Sequence, residues 1–387
     1  MKRIGESFKG ILGGFVFVLI GIILLWWNEG NNVKNLKTTA EMDKNVVDVS
    51  SDKVNPSNEG KLIATSGKLI NEEELTDSTF NVKVTTPIMK RIVEVYQWEE
   101  ESETDEDNVT TYTYKKTWSD ELIDSSDFHE SGHNNPKQKP YKNESFTSSN
   151  VKVGAFTLSS NQVEMLSTNA NYNNFDEATA SKSKLKTSNN YLTTSEDLNS
   201  PQIGDVRVSF VYNNSTEISV LAVQQGNTFV NFVSKAGKSV NRVMDGTHSG
   251  AEMINVIKSE DKFIKWLLRI VGTLLIIGGI AAILKPISAI TSFVPILGSI
   301  VGTAVGLVSL IVGLAISLVI IAIAWIRFRP LLGIALLAIV AALVAFLIIR
   351  GKKSKDNSAV VQQPTEQSAQ PQQNEEQNNN PIDTNNQ

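Results

Sequence analysis

With 387 residues, no cysteine and a formal net charge of −5, the chain excludes a disulfide framework, a thiol nucleophile and any Cys-ligated zinc or iron–sulfur centre. Its 36 basic residues are slightly outnumbered by 41 acidic ones, so nucleic acid is not an expected partner. The apolar residues are gathered at the two ends around a polar middle, which is the pattern of membrane segments flanking a soluble domain.

Residues 1–9 carry Lys2, Arg3 and Lys9 and are read as a cytoplasmic N-terminus. The uncharged stretch 10–27, "GILGGFVFVLIGIILLWW", spans about 27 Å as a helix, enough for one crossing. Trp26-Trp27-Asn28-Glu29 stands where a signal peptide would need small residues for cleavage, so the stretch predicts an uncleaved anchor. Trp26 and Trp27 are then an interfacial pair.

Residues 28–261 predict a large extracytoplasmic or lumenal domain with a mainly antiparallel sheet. Period-two and β-branched runs recur in "KLIATSGKLI", "RIVEVYQWEE", "VTTYTYKKTW", "VRVSFVY", "EISVLAV" and "TFVNFV". The acidic segment 99–107 and the Asn/Ser/Thr-rich segment 169–200 read as surface excursions. From His248 to Lys265 the pattern becomes helical and predicts a connector into the membrane.

Three more apolar stretches follow, 266–284, 294–326 and 331–349, for four crossings in total, the second crossing being taken as 262–284. Lys285-Pro286 reads as a helix end, and the 294–326 stretch is long enough to be tilted, kinked or partly interfacial. Arg350, Lys352, Lys353 and Lys355 match the basic N-terminus and place both termini in the cytoplasm. Lys262, Lys265 and Arg269 on the outer side, and Arg327 and Arg329 before Pro330, run against that assignment. Trp325, Arg327 and Arg329 predict a hairpin held at the lipid headgroups. Residues 350–387, rich in Gln and Asn, predict a disordered cytoplasmic tail.

One motif offers chemistry. His129-Glu130-Ser131-Gly132-His133 matches H-E-x-x-H, in which two histidines on one helix face hold zinc and the glutamate activates water. Gly132 weakens such a helix and Pro136 ends it almost at His133. No apolar stripe is present to bury it, and no third-ligand spacing follows. The favoured reading is a turn capped from Asp127 and Glu130, with His133 hydrogen-bonded to backbone.

In the third apolar stretch Gly298, Gly302 and Gly306 form overlapping G-x-x-x-G units, a flat track for close helix approach. Two readings stay open: packing within one bundle, or self-association. No crossing has a charge securely at its middle, which argues against a proton-coupled transporter or a selective channel.

The segments "WNEG", "NEGKLIATSGKL", "RIVEVYQWEE", "GHNNP", "GDVRVSF", "PILGSIVG" and "AWIRFRPLLG" occur in one order between Arg3 and about Arg350. In them the chain resembles the transmembrane protein 43 (LUMA) family. The resemblance implies four membrane helices, a large domain between the first two, and both ends on the cytoplasmic or nucleoplasmic side. It implies a Gly-His-x-Asn-Pro turn at Gly132, His133, Asn135 and Pro136, and it carries no catalytic residue onto this chain. It also implies an organiser of membrane proteins, which eukaryotic relatives are in the endoplasmic reticulum and inner nuclear membrane, in contact with emerin and lamins. A bacterial member would reside in the plasma membrane.

The sequence therefore predicts a non-enzymatic integral membrane scaffold without a cofactor, its partners being lipids, further copies of itself and other membrane proteins. The alternatives are a lipid, glycan or small-molecule sensor that signals across the membrane, and a zinc peptidase using His129, Glu130 and His133.

Overall fold

A computed structural model describes residues 2–104, 109–291, 295–326, 334–335 and 338–346. The chain divides into two compact units, one of residues 23–272 and one drawn from 1–22 and 273–387.

In chain order, α1 (Lys2–Asn45) leads to β1 (Val47–Ser50), β2 (Leu62–Ile70), β3 (Glu74–Asp77), β4 (Val82–Thr85), β5 (Ile88–Thr104) and β6 (Thr110–Ser119). Then come β7 (Glu144–Thr147), β8 (Lys152–Val153), β9 (Phe156–Thr157), α2 (Ser160–Glu164), β10 (Ala170–Asn171) and α3 (Glu177–Lys182). Next are β11 (Lys186–Ser188), β12 (Tyr191–Thr193), β13 (Val206–Tyr212), β14 (Glu217–Gln225) and β15 (Thr228–Val230). The order closes with β16 (Phe232–Val233), β17 (Ser239–Val240), β18 (Arg242–Asp245), α4 (Gly250–Thr291) and α5 (Pro295–Ile326).

Two larger sheets build the 23–272 unit. The first runs β15-β14-β2-β8-β9, with β1 beside β2 and β18 beside β14. The second runs β11-β12-β13-β5-β6, with β10 beside β13 and β7 beside β5. Pairing is antiparallel except for β1 on β2.

The first sheet is buried on both faces. Ile63, Ile218, Val220 and Ala222 enter one core with Val153, Phe156 and Phe229. Leu62, Ala64 and Leu221 enter another with Met42 of α1 and Met253 and Ile254 of α4. That is why "LIAT" and "ISVLA" read as continuous apolar runs instead of alternating ones. At Gly250, the first residue of α4, an added Cβ would lie 2.6 Å from Val46 Cγ2 and 3.0 Å from Ala64 Cβ, so glycine permits the helix to start against β2.

The second sheet carries its own core of Met89, Val93, Val95, Val208 and Phe210, with the β3–β4 hairpin packed on it through Leu75, Phe80 and Val82. Arg91 and Asp77 are 5 % and 0 % exposed and form an ion pair beneath this hairpin. Arg91 also reaches Glu144 Oε2 at 2.6 Å and donates to Lys142 O at 2.9 Å.

Several expectations are corrected. Strand β5 continues through Glu99–Thr104, where a loop was expected, because Lys115 of the facing strand pairs with Glu99 and Glu101. The 169–200 segment contains β10, α3, β11 and β12 and sends Ala180, Leu185 and Leu192 into the core; it is not a surface excursion. Helix α1 continues past Trp27 to Asn45, and the helical connector expected from His248 is the start of α4, at Gly250. Lys285-Pro286 does not end α4, which continues to Thr291.

In the other unit, close helix contacts occur at Gly14, Gly279 and Gly313. An added Cβ at Gly14 would lie 2.6 Å from Gly279 O, and one at Gly279 would lie 2.6 Å from Gly14 O. One at Gly313 would lie 2.5 Å from Ile277 Cγ1, so α1, α4 and α5 meet through missing side chains. Residues 334–335 and 338–346 are helical. Among the described residues three helices are long and apolar enough to cross a membrane, within Gly10–Asn45, Gly250–Pro286 and Thr303–Ile326.

Candidate functional site

The residues singled out in the 129–136 segment lie over the β5–β6 ribbon. Side chains alternate across a strand, so the pairs Tyr96–Trp118, Trp98–Lys116, Glu100–Tyr114 and Ser102–Tyr112 share one face. The segment that follows β6 folds back over this face. A single 3-10 turn, Ser125–Asp127, starts it and is capped by Asp124, whose Oδ1 accepts from Ser126 N–H at 2.9 Å. The cap is thus Asp124, not Asp127, and the Glu130 backbone N–H donates to Tyr114 Oη at 2.8 Å.

His129 and His133 do not share a helix face. His129 stacks on Tyr112 at 4.0 Å between ring centroids. His133 lies flat on Tyr114 at 3.8 Å and meets Trp98 edge-on at 4.5 Å. Its Nδ1 is buried without a hydrogen-bond partner, so the expected bond from His133 to backbone is replaced by ring contacts. Among the described residues no group of three or more His, Asp or Glu side chains gathers as metal ligands.

The backbone pairing falls to Asn135. Its Nδ2 donates to Trp98 O at 2.8 Å and Ile123 O at 3.2 Å, while Trp98 N–H donates to its Oδ1 at 2.7 Å. Two residues earlier on β5, Tyr96 pairs with Asp205 O and Gly204 N–H at 2.8 and 2.9 Å. The Asn135 amide therefore continues the ladder past the end of β13. Pro136 Cγ would be 3.7 Å from a Cβ on Gly204, whose φ is +95°. Three of the resemblance-bearing segments, "RIVEVYQWEE", "GHNNP" and "GDVRVSF", thus meet at one place.

Asn135→Ala leaves the Trp98 groups unpaired and is expected to cost about 1–3 kcal/mol. Asn135→Asp should lose a comparable amount, because it keeps the acceptor but loses the donor to Trp98 O. Thermal unfolding of the full chain in detergent checks both.

Charge is threaded through the aromatic layer. Lys116 Nζ lies 4.8 Å from the Trp98 ring centroid. Arg207 stands between Trp118 and Tyr191 at 4.6 and 4.7 Å and is held by Glu94 at 2.6 and 2.7 Å. The Tyr114 hydroxyl donates to Glu100 Oε2 at 2.5 Å, and His129 N–H donates to the same oxygen at 2.6 Å.

The Tyr114 hydroxyl is the main reason the Glu100 carboxyl is held below its ordinary 4.5, with the His129 N–H assisting and desolvation opposing. Since the folded value is the lower one, this stabilisation is present above the ordinary value and is lost as pH falls through the folded value. Tyr114→Phe should therefore lower the melting temperature at pH 7, and the gap from the native chain should narrow as pH falls below 4.5. A melting series from pH 7 to about pH 3 reads this out.

At the membrane end of the same unit, Glu29 is 0 % exposed and its Oε1 lies 2.6 Å from Arg269 Nε. Arg269 also lies 4.9 Å from the Trp266 ring, and Asn28 Nδ2 donates to Lys265 O at 3.0 Å. The expected interfacial residues Trp26 and Trp27 are exposed, and Trp325 is half-buried. Gly306 has open space around it; the surroundings of Gly298 and Gly302, and all of Arg327, Arg329 and the 350–387 tail, lie outside the described residues. The sequence reading missed Glu29–Arg269, whose available signal was a lone acid after the first apolar stretch and a lone base inside the second.

The family model for transmembrane protein 43 matches residues 95–330. Human transmembrane protein 43 (Homo sapiens) is 29 % identical over 304 residues, covering 72 % of this chain and 74 % of the relative. The mouse protein (Mus musculus) is 28 % identical over 304 residues with the same coverage. A Drosophila melanogaster homologue is 28 % identical over 289 residues, covering 70 % and 75 %. No solved structure matches the chain.

Proposed function

This integral membrane chain belongs to the transmembrane protein 43 family, and from that premise we propose that it is a non-enzymatic membrane organiser, held by four crossings, that assembles with copies of itself and with other membrane proteins. The crossings are α1, α4, α5 and the 331–349 stretch. The β-rich domain stands on the side opposite both termini, in the plasma membrane of a bacterial host or in the endoplasmic reticulum or inner nuclear membrane of a eukaryotic one.

The observation that carries the organiser reading is the free edge of the β5–β6 ribbon. The pairing of β5 with β6 runs from Val95–Ser119 to Thr104–Thr110, whereas β13 leaves β5 at Val95. By the period of two, the backbone groups of Tyr112, Tyr114, Lys116 and Trp118 point outward, with no strand beside them among the described residues. An open edge braced by an aromatic layer suits a partner strand, and Lys115 and Lys116 on it discourage indiscriminate pairing. The Glu29–Arg269 pair supports the topology, because it neutralises one of the basic residues that runs against positive-inside.

The absence of cysteine makes the topology testable with single introduced thiols. Ser145→Cys is expected to react with a membrane-impermeant maleimide from the non-cytoplasmic side, and Ser354→Cys only after permeabilisation. Labelling of both from one side would overturn the arrangement. A second reading, a ligand sensor, is supported by a cavity beside β1, the strand that follows α1 after Val46.

A further inference from the structure

We propose that the strand added to the open edge of β6 is the distal part of β5 from a second copy of this chain, so that copies join head to tail through their β5–β6 ribbons. This rests on the organiser reading and names the partner strand it calls for.

The ribbon has a second open edge, and the two differ in charge. Past Val95 β13 no longer accompanies β5, and the Asn135 amide occupies the backbone groups of Trp98. Beyond that point the outward backbone groups of β5 belong to Glu100, Ser102 and Thr104, with no strand beside them among the described residues. This edge carries Glu99, Glu100, Glu101 and Glu103, the last exposed and without an ion pair among the described residues. The β6 edge carries Lys115 and Lys116 and no acid from Thr110 to Ser119.

Charge on an exposed edge restrains pairing, and here it also selects the partner. β6 against β6 brings lysines together, and β5 against β5 brings glutamates together; only unlike edges attract. Lys115 would be shared with Glu99 and Glu101 of its own chain, whereas Lys116 forms no ion pair among the described residues and brings an uncommitted cation.

The backbone geometry agrees. Copies side by side in one orientation continue the order β5-β6-β5-β6, and because β5 and β6 are antiparallel the new pair is antiparallel as well. Outward groups must meet outward groups, so even positions face even positions. The register that opposes unlike charges on both faces sets Lys116 against Glu100 and Lys115 against Glu101 of the next copy. Tyr114 then faces Ser102, and Thr113 faces Glu103. Such a heterologous contact repeats into a ring or a row instead of closing as a two-fold dimer.

Single cysteines in the otherwise cysteine-free full chain test this in membranes. One tagged copy carries Thr113→Cys and a differently tagged copy carries Glu103→Cys. In the proposed register these positions form a non-hydrogen-bonded pair with Cα atoms about 4.5 Å apart, within the span a disulfide accepts. Mild oxidation should give a mixed disulfide about fivefold above a control that pairs Thr113→Cys with Ser145→Cys. Adding Lys116→Glu to the Thr113→Cys copy should lower the yield about fivefold, and raising salt from about 0.05 to 0.5 M should lower it too. A yield no higher than the control, a yield indifferent to both Lys116→Glu and salt, or preferential coupling between two Thr113→Cys copies would overturn the proposal. Copies that crosslink through amines without the mixed disulfide would overturn this pairing and leave the organiser reading standing; a monomeric chain would end both.

Discussion

Asp77→Ala is expected to destabilise the β-rich domain by about 3–5 kcal/mol, a large part of the roughly 5–15 kcal/mol that holds a domain together. The carboxylate has no exposed surface; one oxygen accepts from Phe80 N–H at 2.9 Å and the other pairs with Arg91. Removing it leaves the Arg91 guanidinium buried under the β3–β4 hairpin, with Glu144 as its remaining carboxylate partner. A double replacement, Asp77→Leu with Arg91→Met, should cost much less than the single change, because neither charge is then stranded. Urea unfolding of the full chain in detergent, followed by a probe in the β-rich domain, separates these outcomes.

Arg269→Ala should weaken the α1–α4 pairing, by up to about 3–5 kcal/mol, since it takes the guanidinium away from a carboxylate at zero exposure. Glu29→Ala should be costly for the mirror-image reason. The charge-swapped pair, Glu29→Arg with Arg269→Glu, is expected to recover part of the loss. Crosslinking between cysteines placed at positions 32 and 262, before and after each change, would report whether the two helices stay together. Equal crosslinking in all variants would remove the pair from the account.

The strands were legible where local pattern and tertiary role coincide. β13 alternates buried and partly exposed residues along "VRVSFVY", and β2 and β14 are apolar on successive residues because both faces of their sheet are covered. Local pattern failed where a non-local partner decides the outcome. Glu99 to Glu103 looks too acidic for a strand until Lys115 and Tyr114 face it from β6. Leu185 and Leu192 are isolated apolar residues in a polar stretch, and only the second sheet gives them a core to enter.

The helices show the same division. The apolar part of α1 was readable, but its polar continuation to Asn45 depends on contacts from α4, such as Lys258 to Asp43 at 2.7 Å. In the histidine segment the sequence expected His133 to make the backbone hydrogen bond. His133 supplies ring contacts, while Asn135, noted only as part of "GHNNP", carries the hydrogen bonds that fasten the turn to β5. No spacing rule distinguishes an amide that completes a distant strand from one that merely faces water.

The organiser reading meets its most direct test in native membranes. Affinity purification after short-arm amine crosslinking, on cells expressing the native chain and Lys116→Pro in parallel, reports self-assembly and partners together. The substitution removes an outward N–H from the free edge of β6 while sparing the β5–β6 ladder. The expected result is a discrete multiple of the 42.4 kDa chain with reproducible membrane-protein partners, some of them lost with Lys116→Pro. A strictly monomeric chain that recovers no stable partner in either form would contradict it.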